Sequence, residues 1–247
     1  MGAPEVFVGA PHGRDGLWRY VSRGHGPLLQ QRPAEPTGFS ALDRILPGGG
    51  WPVGALTELY PVAAGIGEFA LLLPLMARLT REGRRVALVA PPYIPYSQAL
   101  AWHGVKLDKL VLLQPERPAD ALWAMEQTLA SKTIALAVGW PARAVDRDVR
   151  RLQLAAEAGE ACAVLYRPLR DAAHGSPAAL RLRLAPNAAP CASAGDIKSL
   201  SMTPAAYGLS VDLFKSRGGR PVAVSLPTHF SAAAAPCASA GVLGSFQ

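Results

Sequence analysis

The strongest constraint on this chain is a series of short, continuously apolar segments that alternate with helix-patterned ones. Arg84-Arg-Val-Ala-Leu-Val-Ala90, Thr133 to Val138 and Ala161 to Arg167 are uninterrupted apolar runs of strand length. Unbroken apolarity, unlike strict alternation, suits a parallel strand covered on both faces. Between them, Pro95 to His103, Pro118 to Ala130 and Val145 to Ala158 carry helical spacing, and Lys109 to Gln114 supplies another strand. Strand-helix alternation of this kind predicts right-handed crossovers and a mostly parallel sheet in a three-layer α/β fold.

The alternation extends upstream. Thr37 to Leu46 reads as a short capped helix, stopped by Pro47-Gly-Gly-Gly-Trp-Pro52. Gly54 to Leu59 is an apolar strand. Glu68 to Arg81 reads as one buried helix, with a kink expected at Pro74 because proline lacks an amide donor. After Asp171 the pattern changes. Ala179 to Leu184, Tyr207 to Lys215 and Val222 to Leu226 are expected to extend the sheet as antiparallel strands. The chain thus divides into an N-terminal arm (1–36, with one short element at Leu17 to Val21), a core (37–170) and a C-terminal strand extension (171–227). A tail (228–247) is expected to be disordered, and a Pro/Ala/Ser-rich connection fills 185–203.

Composition narrows the function classes. Half of the 247 residues are apolar, enough for a sizeable core. The net charge is +7, and from residue 141 onward 12 basic residues face 7 acidic ones. A basic balance favours nucleic acid or an acidic protein partner, although arginine-rich composition alone produces it too. Cys162, Cys191 and Cys237 form no CxxC pair, and the longest apolar run, Phe69 to Ala77, is too short to span a bilayer. A reducing, cytoplasmic setting without membrane contact is the expectation. The five histidines form no metal-binding spacing, and no nucleophile motif occurs, so neither a metal nor a cofactor is expected.

Strand, glycine-bearing loop and helix in succession are the setting of a phosphate-binding loop. Here the loop reads Tyr60-Pro-Val-Ala-Ala-Gly-Ile-Gly67. Its flanks are more telling. Thr37-Gly-Phe-Ser-Ala-Leu-Asp43, Gly48-Gly-Gly-Trp-Pro-Val-Gly54 and Leu56-Thr-Glu-Leu-Tyr60 resemble the segment leading into the RecA core. The resemblance continues through Arg81 to Val89 and through His103 to Pro115, and it covers roughly residues 37 to 170.

Laid on that pattern, the catalytic positions are vacant. After Pro61, Gly65 matches the second motif glycine, the lysine falls at Ile66 and the metal-binding hydroxyl at Gly67. The water-activating glutamate falls near Pro92, and the strand that should end in an aspartate ends Val138-Gly-Trp140. Without lysine, hydroxyl and carboxylates, a triphosphate lacks charge partner, metal and activated water. The resemblance therefore implies a degenerate loop and no ATPase, with Gly65 and Gly67 kept for a tight turn.

Within the RecA superfamily the chain resembles the ImuA family of SulA-like, RecA-like accessory proteins of SOS-induced translesion synthesis. Leu46 to Pro52 with Gly54 to Leu59, Gly65 to Pro74, Val211 to Pro221 and an early Leu17-Trp-Arg19 carry that likeness. It implies a scaffold without polymerase activity, working beside an ImuB-type Y-family polymerase-like protein, and in contact with RecA, its own copies or, weakly, DNA. Two rival readings stand beside it: a SulA-like cell-division inhibitor that binds FtsZ, and a working RecA-family ATPase.

Candidate contact residues follow from spacing. Arg143, Arg147 and Arg150 share one helical face and read either as a phosphate- or partner-binding stripe or as a solvated face. Lys215, Arg217 and Arg220 bracket Gly218-Gly219, as a basic contact loop or a plain hairpin turn. Trp51 and Trp140 are interface anchors or caps of the core. Pro91-Pro-Tyr-Ile-Pro-Tyr96 lies where ligands bind in open α/β sheets and is a candidate to fill a lost nucleotide site.

Overall fold

A computed structural model describes residues 33–187, 208–216 and 221–227. The expectations for Leu17 to Val21, for most of the 185–203 connection and for the tail from 228 lie outside the described residues.

In chain order the elements are β1 (Ala34–Glu35), α1 (Ser40–Asp43), β2 (Trp51–Pro52), β3 (Ala55–Pro61), a 3-10 turn (Glu68–Leu72) and α2 (Leu73–Arg81). β4 (Arg85–Val89), α3 (Ser97–Trp102), a 3-10 turn (Leu107–Lys109) and β5 (Leu110–Leu113) follow. Then come α4 (Asp120–Ala130), β6 (Ile134–Gly139), α5 (Asp146–Gly159), β7 (Cys162–Tyr166) and a 3-10 turn (Leu169–Ala173). β8 (Leu180–Asn187), β9 (Gly208–Ser216) and β10 (Val222–Pro227) close the series.

One eight-stranded sheet runs β10-β9-β8-β3-β7-β6-β4-β5. Six neighbouring strands, β8 to β5 in that order, are parallel, and β9 and β10 are antiparallel. The fold is therefore mixed α/β, with a mostly parallel centre and antiparallel C-terminal strands. One detail departs from expectation: β8 joins β3 in parallel, so the switch of direction comes one strand later, at β9. The segment from β7 to β8 crosses over through the 3-10 turn and is long enough to bring the chain back to the same end of the sheet.

The two faces of the sheet are packed differently because side chains alternate along each strand. On one face Leu59, Val86, Leu88, Leu136, Val138, Val164, Leu182 and Val211 meet Leu42 of α1, Leu72 of the 3-10 turn, Leu75, Met76 and Leu79 of α2 and Leu100 of α3. On the other, small residues Ala87, Ala137 and Ala163 let α4 and α5 approach through Met125, Leu129, Val149, Leu152 and Ala156. Gly159 belongs to this close packing, since a Cβ there would lie 1.8 Å from the carbonyl oxygen of Leu129. Gln153, buried on α5, accepts a hydrogen bond from the Leu56 amide at 3.0 Å and so holds the start of β3.

The expected kink at Pro74 does not occur. Glu68 to Leu72 winds as a 3-10 turn, and the α-helix starts at Leu73 with Pro74 in its first turn. There the missing amide has no helical partner to lose. Thr37 does not cap α1 through its side chain. Its amide donates to the Asp43 carboxylate at 2.8 Å, and its hydroxyl accepts from the Phe39 amide. Part of the expected arm is sheet: β1 pairs with β2, and Glu35 joins Arg78 and Arg84 by ion pairs at 2.6 and 2.5 Å.

Beyond β3 no helix among the described residues covers the second face, and a polar cluster does so instead. Glu58 is fully buried and accepts from Arg167 Nη1 at 2.6 Å, Arg181 Nε at 3.0 Å and the Tyr60 hydroxyl at 2.8 Å. Arg167 also donates to Asp171 and to the Ala144 carbonyl. Arg181 donates to the Tyr60 hydroxyl at 2.7 Å and lies over the rings of Tyr60 and Phe214. Burial pushes the Tyr60 hydroxyl up to about 12, so it stays a donor. Removing one member of such a cluster leaves buried charge uncompensated. Glu58→Gln is expected to lower the unfolding free energy by about 3–5 kcal/mol in urea titrations. Arg183→Gln, which breaks an ion pair with Asp212 whose arginine is 53% exposed, is expected to cost less than about 1 kcal/mol.

Candidate functional site

The ends of β3, β6 and β7 and the segment after β4 border a cleft of about 400 Å³, where ligands bind in open α/β sheets. Its walls are the loop Pro61 to Ala64, Glu68, Pro92, Trp140, Pro141 and Tyr166 to Leu169. A smaller cavity of about 190 Å³ adjoins it and shares Glu68, Pro92 and Trp140, with Tyr93 and Pro95 on its far side.

In the loop Tyr60 to Gly67, three positions have a structural role. Gly65 and Gly67 take φ of 80° and 87°, values that favour glycine, so both serve the tight strand-to-helix turn. Ile66, at the lysine position, packs half-buried against the core instead of reaching the cleft. The Gly65 amide donates to the Glu68 carboxylate at 3.1 Å. A carboxylate of the chain thus takes up the kind of amide that would otherwise cradle phosphate. The 3-10 winding of Glu68–Leu72 also removes the regular helix N-terminus from this point.

Trp140 directly follows β6. Its indole stacks on Tyr166 with ring centres 4.9 Å apart and planes 5° from parallel, and Phe69 tilts against it at 6.0 Å. The Tyr166 hydroxyl donates to the Glu68 carbonyl at 2.9 Å, which ties β7 to the loop. Burial, followed by the Glu68 charge, holds that hydroxyl in its protonated, donating form. Arg167 is the cation on the cleft wall, and its Nη groups are engaged by Glu58, Ala144 and Asp171. A triphosphate here would meet an aromatic stack and a carboxylate.

The other predicted residues are dispersed. Trp51 is 1% exposed and belongs to the core, so its reading as an interface anchor is corrected. Trp140 is half-buried in the cleft. Arg143, Arg147 and Arg150 are all exposed, with no ion pair among the described residues, while Arg151 binds Glu126. Lys215, on β9, donates to the Ser176 carbonyl in the segment before β8. Arg217 and Arg220 lie outside the described residues. The segment 91–96 fills the vacated site only at its edge. Pro91, Pro92, Tyr93 and Pro95 border the smaller cavity, yet Tyr93, Ile94 and Tyr96 are 79%, 73% and 66% exposed. The stack of Trp140 on Tyr166 forms part of the wall of the larger cleft.

Sequence reasoning missed the Glu58 cluster and the Trp140–Tyr166 stack. The first had a signal: a glutamate within a strand read as covered on both faces needs buried cations. The second had none, because 26 positions separate the partners and only the parallel pairing of β6 with β7 brings them together. Trp140→Ala is expected to abolish the near-ultraviolet circular dichroism band of the stacked pair. It should cost about 2–3 kcal/mol of stability without creating nucleotide affinity.

The model for the family "Cell division inhibitor SulA" matches residues 57–163, from within β3 to within β7. The cell division inhibitor SulA of Serratia marcescens is 32% identical over 161 residues, which span 64% of this chain and 90% of that protein. SulA of Yersinia pestis (strain Pestoides F) is also 32% identical, over 106 residues. That match covers 43% of this chain and 63% of the Yersinia protein. The crystal structure of SulA from Pseudomonas aeruginosa superposes with a TM-score of 0.40 at 23% identity, over 45% of this chain and 97% of that one. By the extent of the Serratia match, the chain belongs to the SulA family.

Proposed function

We propose that this protein is a non-catalytic binding module, a RecA-like α/β fold retained for its surfaces. We further propose that it restrains cell division by docking on FtsZ, the partner that the SulA likeness implies. The observation that carries the reading is the filled phosphate loop: Glu68 holds the Gly65 amide, Ile66 is turned into the core and Trp140 stacks where a carboxylate would stand. A site arranged in this way has neither a charge partner for a triphosphate nor a group to activate water. What remains is a rigid scaffold with an aromatic rim, and Tyr93, Ile94 and Tyr96 are the exposed apolar side chains beside the cleft that suit a protein contact.

A second reading stands beside it as a proposal. The match to the Serratia marcescens protein leaves 36% of the chain over, and the family model ends at 163, before β8, β9 and β10. On that reading these strands would carry the contacts of an ImuA-type accessory of translesion synthesis in the cytoplasm, bound to an ImuB-type polymerase-like protein and in contact with RecA or its own copies.

Expression in a rod-shaped bacterium separates the two. Filamentous cells, together with inhibited FtsZ polymerisation in light-scattering assays of the purified proteins, are expected from the division reading. Normal septation with unaffected FtsZ would remove it. Co-purification of an ImuB-type protein, lost on removal of residues after Arg170, would then support the second. For both, calorimetric titration with Mg-ATP is expected to show no binding tighter than about 1 mM. Micromolar binding or turnover would sink the non-catalytic reading.

A further inference from the structure

The smaller cavity beside the cleft holds one charge among aromatic and proline walls. Three segments build it: Glu68 and Phe69 at the start of the 3-10 turn, Pro91 to Pro95 after β4, and Trp140 after β6. Trp140 is braced by its stack on Tyr166 and by Phe69, which tilts against it at 6.0 Å. Pro91, Pro92 and Pro95 stiffen the second segment, because each ring locks φ. The cavity is therefore formed before anything enters it, which lowers the cost of binding.

Its electrostatics are one-sided. Among the described residues, Glu68 is the only charged one on the wall of this cavity. Its carboxylate accepts from the Gly65 amide at 3.1 Å and has no ion pair among the described residues. Arg167, on the wall of the larger cleft, is committed elsewhere, to Glu58 at 2.6 Å and Asp171 at 3.1 Å. Trp140, Phe69 and Tyr93 contribute aromatic rings, whose faces attract a cation.

Volume and surroundings narrow the occupant. The cavity, at about 190 Å³, is smaller than the roughly 300–1,000 Å³ of pockets that take drug-sized ligands, and it suits one long side chain. An apolar side chain would desolvate Glu68 without giving it a partner, and an acidic one would be repelled. A guanidinium fits better than an ammonium: it is planar and weakly hydrated, stacks on rings and can fork a carboxylate. Tyr93 lines the cavity and, with Ile94 and Tyr96, stays largely exposed. Apolar surface thus lies beside the cavity for the chain that carries the guanidinium.

We propose that this cavity anchors one arginine side chain of a protein partner, with the guanidinium paired to the Glu68 carboxylate and stacked among Trp140, Phe69 and Tyr93. The inference rests on the reading that this end of the sheet meets a protein, and it adds what that protein must present.

The test is fluorine NMR of the full-length protein labelled with fluorotryptophan, with the Trp140 resonance identified by its loss in Trp140→Phe. The probe is a blocked leucine-arginine-leucine peptide. A saturable shift of that resonance is expected, with Kd on the order of 1 mM or tighter. The net charge of +7 opposes nonspecific attraction of this cationic peptide. The same peptide with citrulline keeps the shape and loses the charge, and it is expected to bind at least about tenfold more weakly. Glu68→Gln keeps an oxygen that can accept from Gly65 and hold the turn, and it should weaken the arginine peptide at least about tenfold. Tyr93→Ala should weaken it about threefold. Circular dichroism should match the wild type in both variants. Trp123→Ala, which removes an exposed indole on α4, should change affinity less than about twofold. No shift, equal binding of the citrulline peptide, or full binding by Glu68→Gln overturns the proposal. Methylguanidinium binding as tightly as the peptide would assign the cavity to a small free cation and overturn it too. These readouts use no FtsZ. Their failure beside intact inhibition of FtsZ removes the arginine anchor and leaves the division reading standing. Arginine binding beside unaffected FtsZ keeps the anchor and removes the division reading.

Discussion

The structure depends on how a carboxylate is kept in the middle of a covered sheet. Glu58 has no solvent contact and sits on the central strand, between β7 and β8. Desolvating it alone would cost several kcal/mol. Arg167 at the end of β7 and Arg181 on β8 remove that penalty, and Asp171, paired with Arg167, balances the surplus positive charge. The cluster needs all of these strands in register. It therefore specifies where β8 joins the sheet, and with it where the antiparallel strands β9 and β10 begin.

The same cluster shapes the cleft. Arg167 leaves β7 toward Glu58 and Ala144, so its guanidinium is drawn away from any ligand at the loop. Tyr166, the residue before it, points to the opposite face, stacks on Trp140 and holds the Glu68 carbonyl. Consecutive residues of one strand thus close the site from both sides of the sheet, one by engaging its cation and the other by filling its floor. The polar groups near the loop, Glu68, Tyr166 and Arg167, thus each have a structural task.

Much of the architecture could be read from pattern. Continuous apolar runs gave β4, β6 and β7, and helical spacing gave α4 and α5, because burial on both faces and on one face leave different periodicities. What escaped depends on partners distant in sequence. Pro74 was read as a kink because the 3-10 start at Glu68 is set by Gly67 and by Phe69 packing under Trp140, neither visible in local spacing. Trp51 was open to an interface role until β1 and the core closed over it. The parallel entry of β8 was missed because alternating Leu180, Leu182 and Leu184 look the same in either strand direction. In the structure Arg181 lies opposite Glu58 in the parallel register.

The two ends of the sheet have taken different chemistry for a related reason. At the C-terminal end of the strands, where the fold offers a ligand site, carboxylate, proline and aromatic groups occupy the space and leave an apolar rim. At the N-terminal end the connecting turns carry Arg81, Arg85, Lys106 and Lys132, which have no ion pair among the described residues. Arg143, Arg147 and Arg150, also without one, follow β6 at the other end, and most of the +7 excess lies from residue 141 onward. Tyr93, Ile94 and Tyr96 after β4 and the turns that lead into β4, β5 and β6 are separated by the full length of the strands.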